Sequence, residues 1–344
     1  MPPVLPTRYK SAVSRSPSIA IVSPALADAN NGNWRTARRW QELLADRYSV
    51  RIVRTWPDAE AAGDAVLLAL HARRSAEPIA AWSRAHPGRG LAVVLTGTDL
   101  YQDILADAAA QRSLELAQRL VVLQARGPDA LPPAQRAKAR VIYQSAPAQP
   151  PLPKPSGHLD AVMVGHLRAV KAPEVLWTAA RALVAHADVR IVHIGDGEGE
   201  PALAREAQRT AHECPGYTWL GALPHEETLR RIRAAHVLVH TSTLEGGAHV
   251  ILEAVRCGTP VLATRMPGNL GMLGEDYLGY FPVGDGAALA DHLLACRAGQ
   301  QSEDPAAGLL ARLAAQCALR APLFDPRAER AALLSLLQEL EVSA

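Results

Sequence analysis

The sequence predicts an α/β protein made of two units in tandem, each a parallel sheet covered by helices. Short apolar runs alternate with longer amphipathic stretches along the whole chain, as expected for strands joined by crossover helices. The 344 residues are too many for one comfortable core and suit two domains. Five prolines in residues 146–155 mark the boundary, because proline continues neither a helix nor a central strand.

In the first half, six apolar runs predict strands, and the stretches between them predict helices, for instance at 34–45 and 75–86. The predicted strands are Ile19–Ser23, Val50–Val53, Ala65–Leu70, Leu91–Leu95, Leu120–Leu123 and Val141–Tyr143.

The second half repeats this pattern and ends in a predicted helix from Asp325 to about Glu341. Its predicted strands are Ala161–Val164, Val189–Ile194, Val237–His240 and Val261–Ala263. We therefore predict a flexible leader at 1–17, a Rossmann-like domain at 18–145, a proline-rich linker at 146–157, and a second Rossmann-like domain at 158–344 whose last helix could cross back to the first.

Composition narrows the class of protein. The chain is 49% apolar and 20% charged, and it lacks the run of ~18 apolar residues that a membrane span needs. Four scattered cysteines without a C-x-x-C pair indicate reduced thiols rather than a zinc site or a disulfide framework. With no apolar signal segment in residues 1–18, we expect a cytoplasmic protein.

Charge is distributed unevenly between the halves. Residues 1–150 contain 19 Lys and Arg against 12 Asp and Glu, a net charge of +7, whereas residues 151–344 have a net charge of −5. This asymmetry could steer an anionic substrate toward a cleft between the domains, although solvated surface charge explains it equally well. No dense basic run with interleaved aromatics is present, so a nucleic-acid partner is not expected.

Residues 237–264 are the most informative segment. They predict a buried strand, a glycine loop, a helix from about Gly247, a stop at Gly258 and another strand. Gly246 and Gly247 would let backbone amides approach a ligand at the start of the helix, where a diphosphate is favoured.

Two glutamates, Glu245 and Glu253, lie eight positions apart in this segment. On a helix they would be about 12 Å apart, beyond the ~5–9.5 Å spacing of a glycosidase carboxylate pair. They suit two hydrogen-bond acceptors that hold hydroxyls at opposite ends of an extended ligand. His249 and Glu253 share a helix face, but a metal site would need a third ligand, so no metal is expected.

The spacing Glu245-x7-Glu253, followed by Cys-Gly-Thr-Pro-Val, resembles the E-x7-E signature of retaining-type glycosyltransferases of family 4. The resemblance implies the GT-B fold, in which two Rossmann-like domains face each other across a cleft. It implies that Glu253 holds the donor ribose and Glu245 the transferred sugar. It also places the amides of Gly246, Gly247 and Ala248 beside the sugar and phosphates, with Ala248 where the family usually has glycine.

Residues 164–171 are similar to a second element of that family, an arginine and a lysine that clamp the donor diphosphate without a metal. Lys171 stands at the family position, while His166 replaces the usual arginine. We predict that Arg168 and Lys171 share the role and that both, together with Glu245, are catalytic. The glycine-rich segment 193–199 lacks the last glycine of a dinucleotide motif, so no cofactor is expected.

Two loops of the first half complete the predicted donor site. The loop 28–35 follows the first strand and would bring Gly32 and Asn33 near the sugar, unless it is an ordinary turn capped by Asn33. Thr96-Gly-Thr-Asp99 resembles the family's H-G-x-D segment, with Thr96 in place of the histidine.

Five blocks, from residues 24–34 to 267–274, are similar to the selenosugar synthases of selenoneine biosynthesis. The resemblance implies a UDP-sugar donor, N-acetylglucosamine or glucose, and selenophosphate as the acceptor that forms a C–Se bond. A small anionic acceptor needs cations, and the candidates are Arg35, Arg73, Arg74 and His249. The alternatives are a family 4 enzyme acting on a saccharide or lipid hydroxyl, and a non-catalytic nucleotide-sugar binding protein.

Overall fold

The computed structural model describes residues 18–26 and 32–341 and contains two six-stranded sheets. All neighbouring strands pair in parallel, and helices connect them, so the predicted fold class is confirmed. The leader predicted at 1–17 and the loop residues 28–31 lie outside the described part of the chain.

The first sheet has the strand order β2-β1-β3-β4-β5-β6. Its central strands are continuous apolar runs, because a parallel sheet covered by helices is buried on both faces. The strands are β1 Ser18–Val22, β2 Ser49–Val53, β3 Asp64–Leu70, β4 Leu91–Leu95, β5 Arg119–Val122 and β6 Ala139–Val141.

The second sheet has the order β12-β11-β10-β7-β8-β9. The short edge strands β9 and β12 were not predicted from the sequence. The strands are β7 Leu159–Val164, β8 Val189–Ile194, β9 Tyr217–Trp219, β10 Val237–His240, β11 Val261–Thr264 and β12 Tyr280–Phe281.

Helices cover the sheets, and none in the described ranges is long and apolar enough to cross a membrane. The helices are α1 Gly32–Leu44, α2 Ala76–Ala85, α3 Ile104–Ala106, α4 Ala108–Leu116, α5 Pro173–Ala182, α6 Pro201–Glu213, α7 His225–Ala234, α8 His249–Arg256, α9 Pro267–Leu273, α10 Gly286–Gln301, α11 Leu309–Arg320 and α12 Pro326–Glu341.

The last helix, α12, packs on the first sheet rather than the second. Its leucines 333, 336, 337 and 340 are buried in one cluster with Ile19 and Ile21 of β1. The chain therefore passes between the two halves twice, after β6 and before α12. Arg256 links the two passages. Its Nε donates a hydrogen bond to the carbonyl of Ala146, and its Nη2 donates one to Asp325, both 3.0 Å long.

Candidate active site

A cleft lies between the two sheets, at the carboxyl ends of their strands. A cavity of about 210 Å³ in it is lined by loops that follow β4, β5, β6, β7 and β10, by the first half of α1 and by the start of α8. Such an edge is where parallel α/β sheets bind ligands. The predicted site residues that line it are Gly32, Asn33, Arg35, Thr96, Lys171, Glu245, Gly247 and His249.

Lys171 and Glu245 form the charged centre of this cavity. Lys171 ends a short 3₁₀ turn after β7, and its Nζ lies 2.5 Å from Oε1 of Glu245. Burial opposes the charge on Glu245, but the ammonium of Lys171 and the imidazole of His240 more than offset it and hold its pKa below the ordinary range. Glu245 is therefore an ionised acceptor at neutral pH.

The glycines after Glu245 allow the two halves of the protein to approach closely. A Cβ on Gly246 would lie 2.5 Å from the carbonyl of Thr96, and one on Gly247 would lie 2.8 Å from the Cβ of Leu123. The sequence analysis explained Gly246 and Gly247 by the close approach of a ligand. This explanation is incomplete, because both glycines also pack against loops of the first half of the chain. The helix also begins later than predicted, at His249.

Glu253 faces the cleft from one turn inside α8. It is 7% exposed, and its Oε1 lies 3.2 Å from Nε2 of His225 and 3.4 Å from Nε2 of His249. Burial raises the pKa of Glu253 to about 7, against the opposing effect of Arg35 and Arg39. Burial, helped by the same two arginines, lowers the pKa of His249 to about 3, so its imidazole is neutral.

A second, larger cavity of about 620 Å³ adjoins the first. Arg35, Arg39 and His249 line both cavities, so the two form one continuous cleft. The guanidinium of Arg39 is held by the buried carboxylate of Glu329 at 2.8 Å. Arg35 is exposed, and its charge acts on the titrating groups of His166 and Glu253. The cleft is thus cationic on its α1 side.

Six predicted site residues line neither cavity, and one of them is Gly246, which packs against Thr96. Asp99 is fully buried, and its carboxylate accepts from the amides of Ala72, Thr96 and Gly97, so it shapes the loop rather than facing a ligand. The amide of Ala248 donates to Sδ of Met272, also away from the cavity.

The other three are arginines outside both cavities. Arg168 is exposed at the start of the 3₁₀ turn that carries Lys171, and it does not line the cleft beside Lys171 as predicted. Arg73 pairs with Asp103 at 3.0 Å, and Arg74 follows it on the same loop. Arg73 and Arg74 thus line neither cavity, and their predicted acceptor role stays a prediction.

Sequence reasoning missed three residues that contact the site. His225 has no local sequence signal, because it reaches the cleft through its tertiary contact with Glu253, and Arg39 is held there by Glu329 of a distant helix. Gln144, whose amide donates to Oγ1 of Thr36 at 2.6 Å, closes the smaller cavity behind α1. An i, i+4 search along α1 from Arg35 would have found Arg39 alone.

The pKa of Glu253 gives a testable pH dependence. In the ribose-binding role that the family resemblance implies for Glu253, an ionised carboxylate accepts hydrogen bonds from both hydroxyls, whereas a protonated one has lost part of its acceptor capacity, so affinity should rise through pH 7. Between pH 6 and 8 the ionised fraction grows about tenfold, and we expect the Kd for UDP-glucose to fall by a similar factor. Glu253→Gln should bind weakly with a flat profile. Isothermal titration without acceptor measures this.

The same shift predicts the opposite trend for stability. The folded-state pKa of about 7 lies above the ordinary value of 4.5, so the folded protein loses stability as pH rises between these values. Glu253→Gln should therefore melt at a higher temperature than the wild type at pH 8 and not at pH 4. Equal melting shifts at both pH values would contradict the assignment.

Residues 146–300 match the family model described as "Glycosyl transferases group 1". The D-inositol 3-phosphate glycosyltransferase of Xylanimonas cellulosilytica is 33% identical over 136 residues, which cover 38% of this chain and 32% of that protein. That of Mycobacterium sp. (strain KMS) is 30% identical over 175 residues, covering 48% and 37%. The match thus spans about a third of the length of these relatives.

Solved structures match almost the whole chain. HepE of Anabaena in complex with UDP-glucose has a TM-score of 0.72 at 16% identity, with 94% of this chain and 100% of that chain covered. Sucrose-phosphate synthase from Thermosynechococcus elongatus has a TM-score of 0.72 at 17% identity, with 95% and 100% covered. The fold is the GT-B fold, with two Rossmann-like units on either side of a cleft.

Proposed function

We propose that the protein is a glycosyltransferase that takes its sugar from a UDP-sugar bound in this cleft. The observation that carries the proposal is the pairing of Lys171 with Glu245 just before α8, in a cleft that is also lined by Glu253 of α8 and by the arginines of α1. The match of residues 146–300 to the group 1 glycosyltransferase model covers these groups except the arginines.

Each group suits one part of such a donor. The diphosphate lies at the N-terminal end of α8, where the helix dipole and Lys171 stabilise negative charge. The carboxylate of Glu253 accepts from the ribose hydroxyls, and that of Glu245 accepts from the transferred sugar. As the bond between the anomeric carbon and the phosphate oxygen breaks, the electron pair stays on UDP, and Lys171 offsets the developing charge. No metal takes part in this scheme.

For the acceptor we propose selenophosphate. The support is the resemblance of five sequence blocks to selenosugar synthases and the cationic α1 side of the cleft, where Arg35 faces the space beside His249. An electron pair of selenium forms the C–Se bond as UDP leaves. Because selenophosphate is already an anionic nucleophile, the reaction needs no strong base, and Thr96 suffices where the family has histidine.

A second candidate is transfer to the hydroxyl of a phosphorylated acceptor. The relatives named D-inositol 3-phosphate glycosyltransferases favour it, and Arg35 would suit the phosphate of such an acceptor equally well.

The test is a reaction of the protein with UDP-N-acetylglucosamine or UDP-glucose and selenophosphate, followed by mass spectrometry. UDP together with a selenium-containing sugar supports the proposal. UDP released only with inositol 3-phosphate or another hydroxyl acceptor would support the second candidate. Binding of UDP-sugar without turnover of any acceptor would leave a nucleotide-sugar binding protein and refute catalysis.

Arg35→Ala should weaken acceptor binding. Loss of one charge-assisted contact costs roughly 1.5–3 kcal/mol, so KM for the acceptor should rise about tenfold to a hundredfold. Arg74→Ala is the matched control, since it removes an exposed arginine of the same domain outside both cavities. Steady-state kinetics with varied acceptor measures both. Equal KM values for the two variants would remove Arg35 from the site.

A further inference from the structure

A buried histidine stands behind the charged centre of the cleft. His240 is the last residue of β10 and is 3% exposed. Its Nε2 lies 3.5 Å from Oε1 of Glu245, which is long for a hydrogen bond, and 3.3 Å from Oγ of Ser242. The imidazole therefore points at the carboxylate from the protein side, opposite the cavity.

The other ring nitrogen of His240 fixes its tautomer. In residues 18–26 and 32–341, Nδ1 is buried without a hydrogen-bond partner. A buried N–H without a partner is rarer than an unpaired acceptor, so the proton belongs on Nε2, facing Glu245. Burial also lowers the pKa of His240, which keeps the ring neutral with a single N–H. Buried polar atoms are nearly always hydrogen-bonded, so the unpaired Nδ1 needs an explanation. We explain it by the opposite nitrogen, because an unpaired Nδ1 leaves the Nε2–H free to donate toward Glu245.

The contact between Lys171 and Glu245 occupies both groups before any ligand arrives. Their 2.5 Å separation leaves Lys171 directed at a carboxylate, although its predicted ligand is a diphosphate. A diphosphate diester carries two negative charges against one on Glu245, so a donor that enters will draw the ammonium toward itself. Glu245 then loses its strongest partner, at a side chain that is 15% exposed.

We propose that His240 is a positioning residue that holds the carboxylate of Glu245 when an incoming diphosphate draws Lys171 away. The inference rests on the proposed function, since it requires a donor with a diphosphate. His240 then closes the long 3.5 Å gap and keeps Glu245 aimed at the sugar, while Lys171 serves the leaving group. Without a donor, Lys171 pairs with Glu245. With a donor bound, Lys171 contacts the diphosphate and His240 holds Glu245.

Kinetics of His240 variants test this role. His240→Leu removes the donor, and kcat should fall about tenfold to a hundredfold, the range for one hydrogen bond to a charged group, while KM for the donor changes less than about threefold. His240→Gln keeps an N–H near the position of Nε2 and should recover most of the rate. A merely structural role predicts no such recovery.

The matched control lies at the other end of the same strand. His236 precedes β10 and is also buried, and its nitrogens bond the amide of Asp160 and the carbonyl of Pro155, far from Glu245 along the strand. His236→Leu should lower the melting temperature without changing kcat per folded molecule. Equal losses of kcat in His236→Leu and His240→Leu would overturn the proposal.

A spectroscopic readout separates this inference from the proposed function. With ¹⁵N-labelled imidazoles, assigned by comparison with His240→Gln, UDP should shift Nε2 of His240 as its hydrogen bond shortens. Lys171→Met should show nearly the same shift without UDP. An unmoved Nε2 signal in both cases refutes the role of His240. A wild-type protein that shifts with UDP but transfers no sugar refutes the enzyme and leaves this exchange of partners standing.

Discussion

Replacing Lys171 with methionine should lower kcat for sugar transfer by about a hundredfold to a thousandfold, the usual cost of losing one preorganised charge at a transition state. Methionine matches the length of the lysine stem but carries no charge, so the departing UDP loses the cation that we propose offsets its charge. Ground-state affinity should fall less than the rate, because the ammonium first has to leave Glu245. Single-turnover rates with saturating UDP-sugar measure the effect.

The control for Lys171→Met changes Glu245. This side chain is mostly buried, and the substitution of Lys171 removes the cation that pairs with it. An uncompensated carboxylate costs stability, so the melting temperature of Lys171→Met should fall. The double variant Lys171→Met/Glu245→Gln should recover the melting temperature, while its kcat stays well below that of Glu245→Gln alone. Equal kcat values for the double variant and Glu245→Gln would mean that the loss in Lys171→Met is a folding defect and that Lys171 has no part in the chemistry.

The fold was predictable because the hydrophobic pattern of a parallel sheet is strong where strands are central. The sequence-based bounds of β7, β8 and β10 lie within two residues of those observed. The strands β9 and β12 escaped because they have only three and two residues and pair on one side alone. Such edge strands depend on a neighbour's backbone, which local composition does not record.

Candidate site residues could be predicted only where they belong to a motif that is contiguous in the sequence. Lys171, Glu245 and Glu253 sit in contiguous motifs with recognisable spacing, and they meet in the cleft or face it. Asp99 has the same kind of motif, yet its carboxylate is used up by three backbone amides of its own domain. A sequence cannot distinguish an acid that faces a ligand from one that braces a loop, since both follow a strand.

Glu329→Ala should cost about 3–5 kcal/mol of folding free energy, the range for removing one partner of a buried charged network. Glu329 lies on α12 and is 1% exposed. Its carboxylate accepts from Arg39 at 2.8 Å, from Nε1 of Trp40 at 2.7 Å and from Oγ of Ser145 at 2.5 Å. Alanine removes the carboxylate partner of Arg39, whose side chain is 16% exposed, and leaves the buried indole N–H of Trp40 without this acceptor. Chemical denaturation measures the loss.

The matched control on the same helix is Glu339→Ala. Glu339 bonds Arg119 and Arg140, but its side chain is 28% exposed, so solvent screens the interaction and the loss should be about 1 kcal/mol or less. Similar losses for the two variants would contradict a buried network at Glu329.

The consequence for the cleft follows from what Glu329 connects. Arg39 lines both cavities, Ser145 begins the passage between the two halves, and Glu329 itself belongs to the helix that returns to the first sheet. Without Glu329, we expect Arg39 to pair with another carboxylate of the cleft. Glu253 is the candidate, because the charge of Arg39 already acts to lower its pKa. Glu329→Ala should therefore weaken UDP-sugar binding at temperatures where the variant is fully folded, whereas Glu339→Ala should not. Through Glu329, the helix α12 thus sets the charge on the α1 side of the cleft.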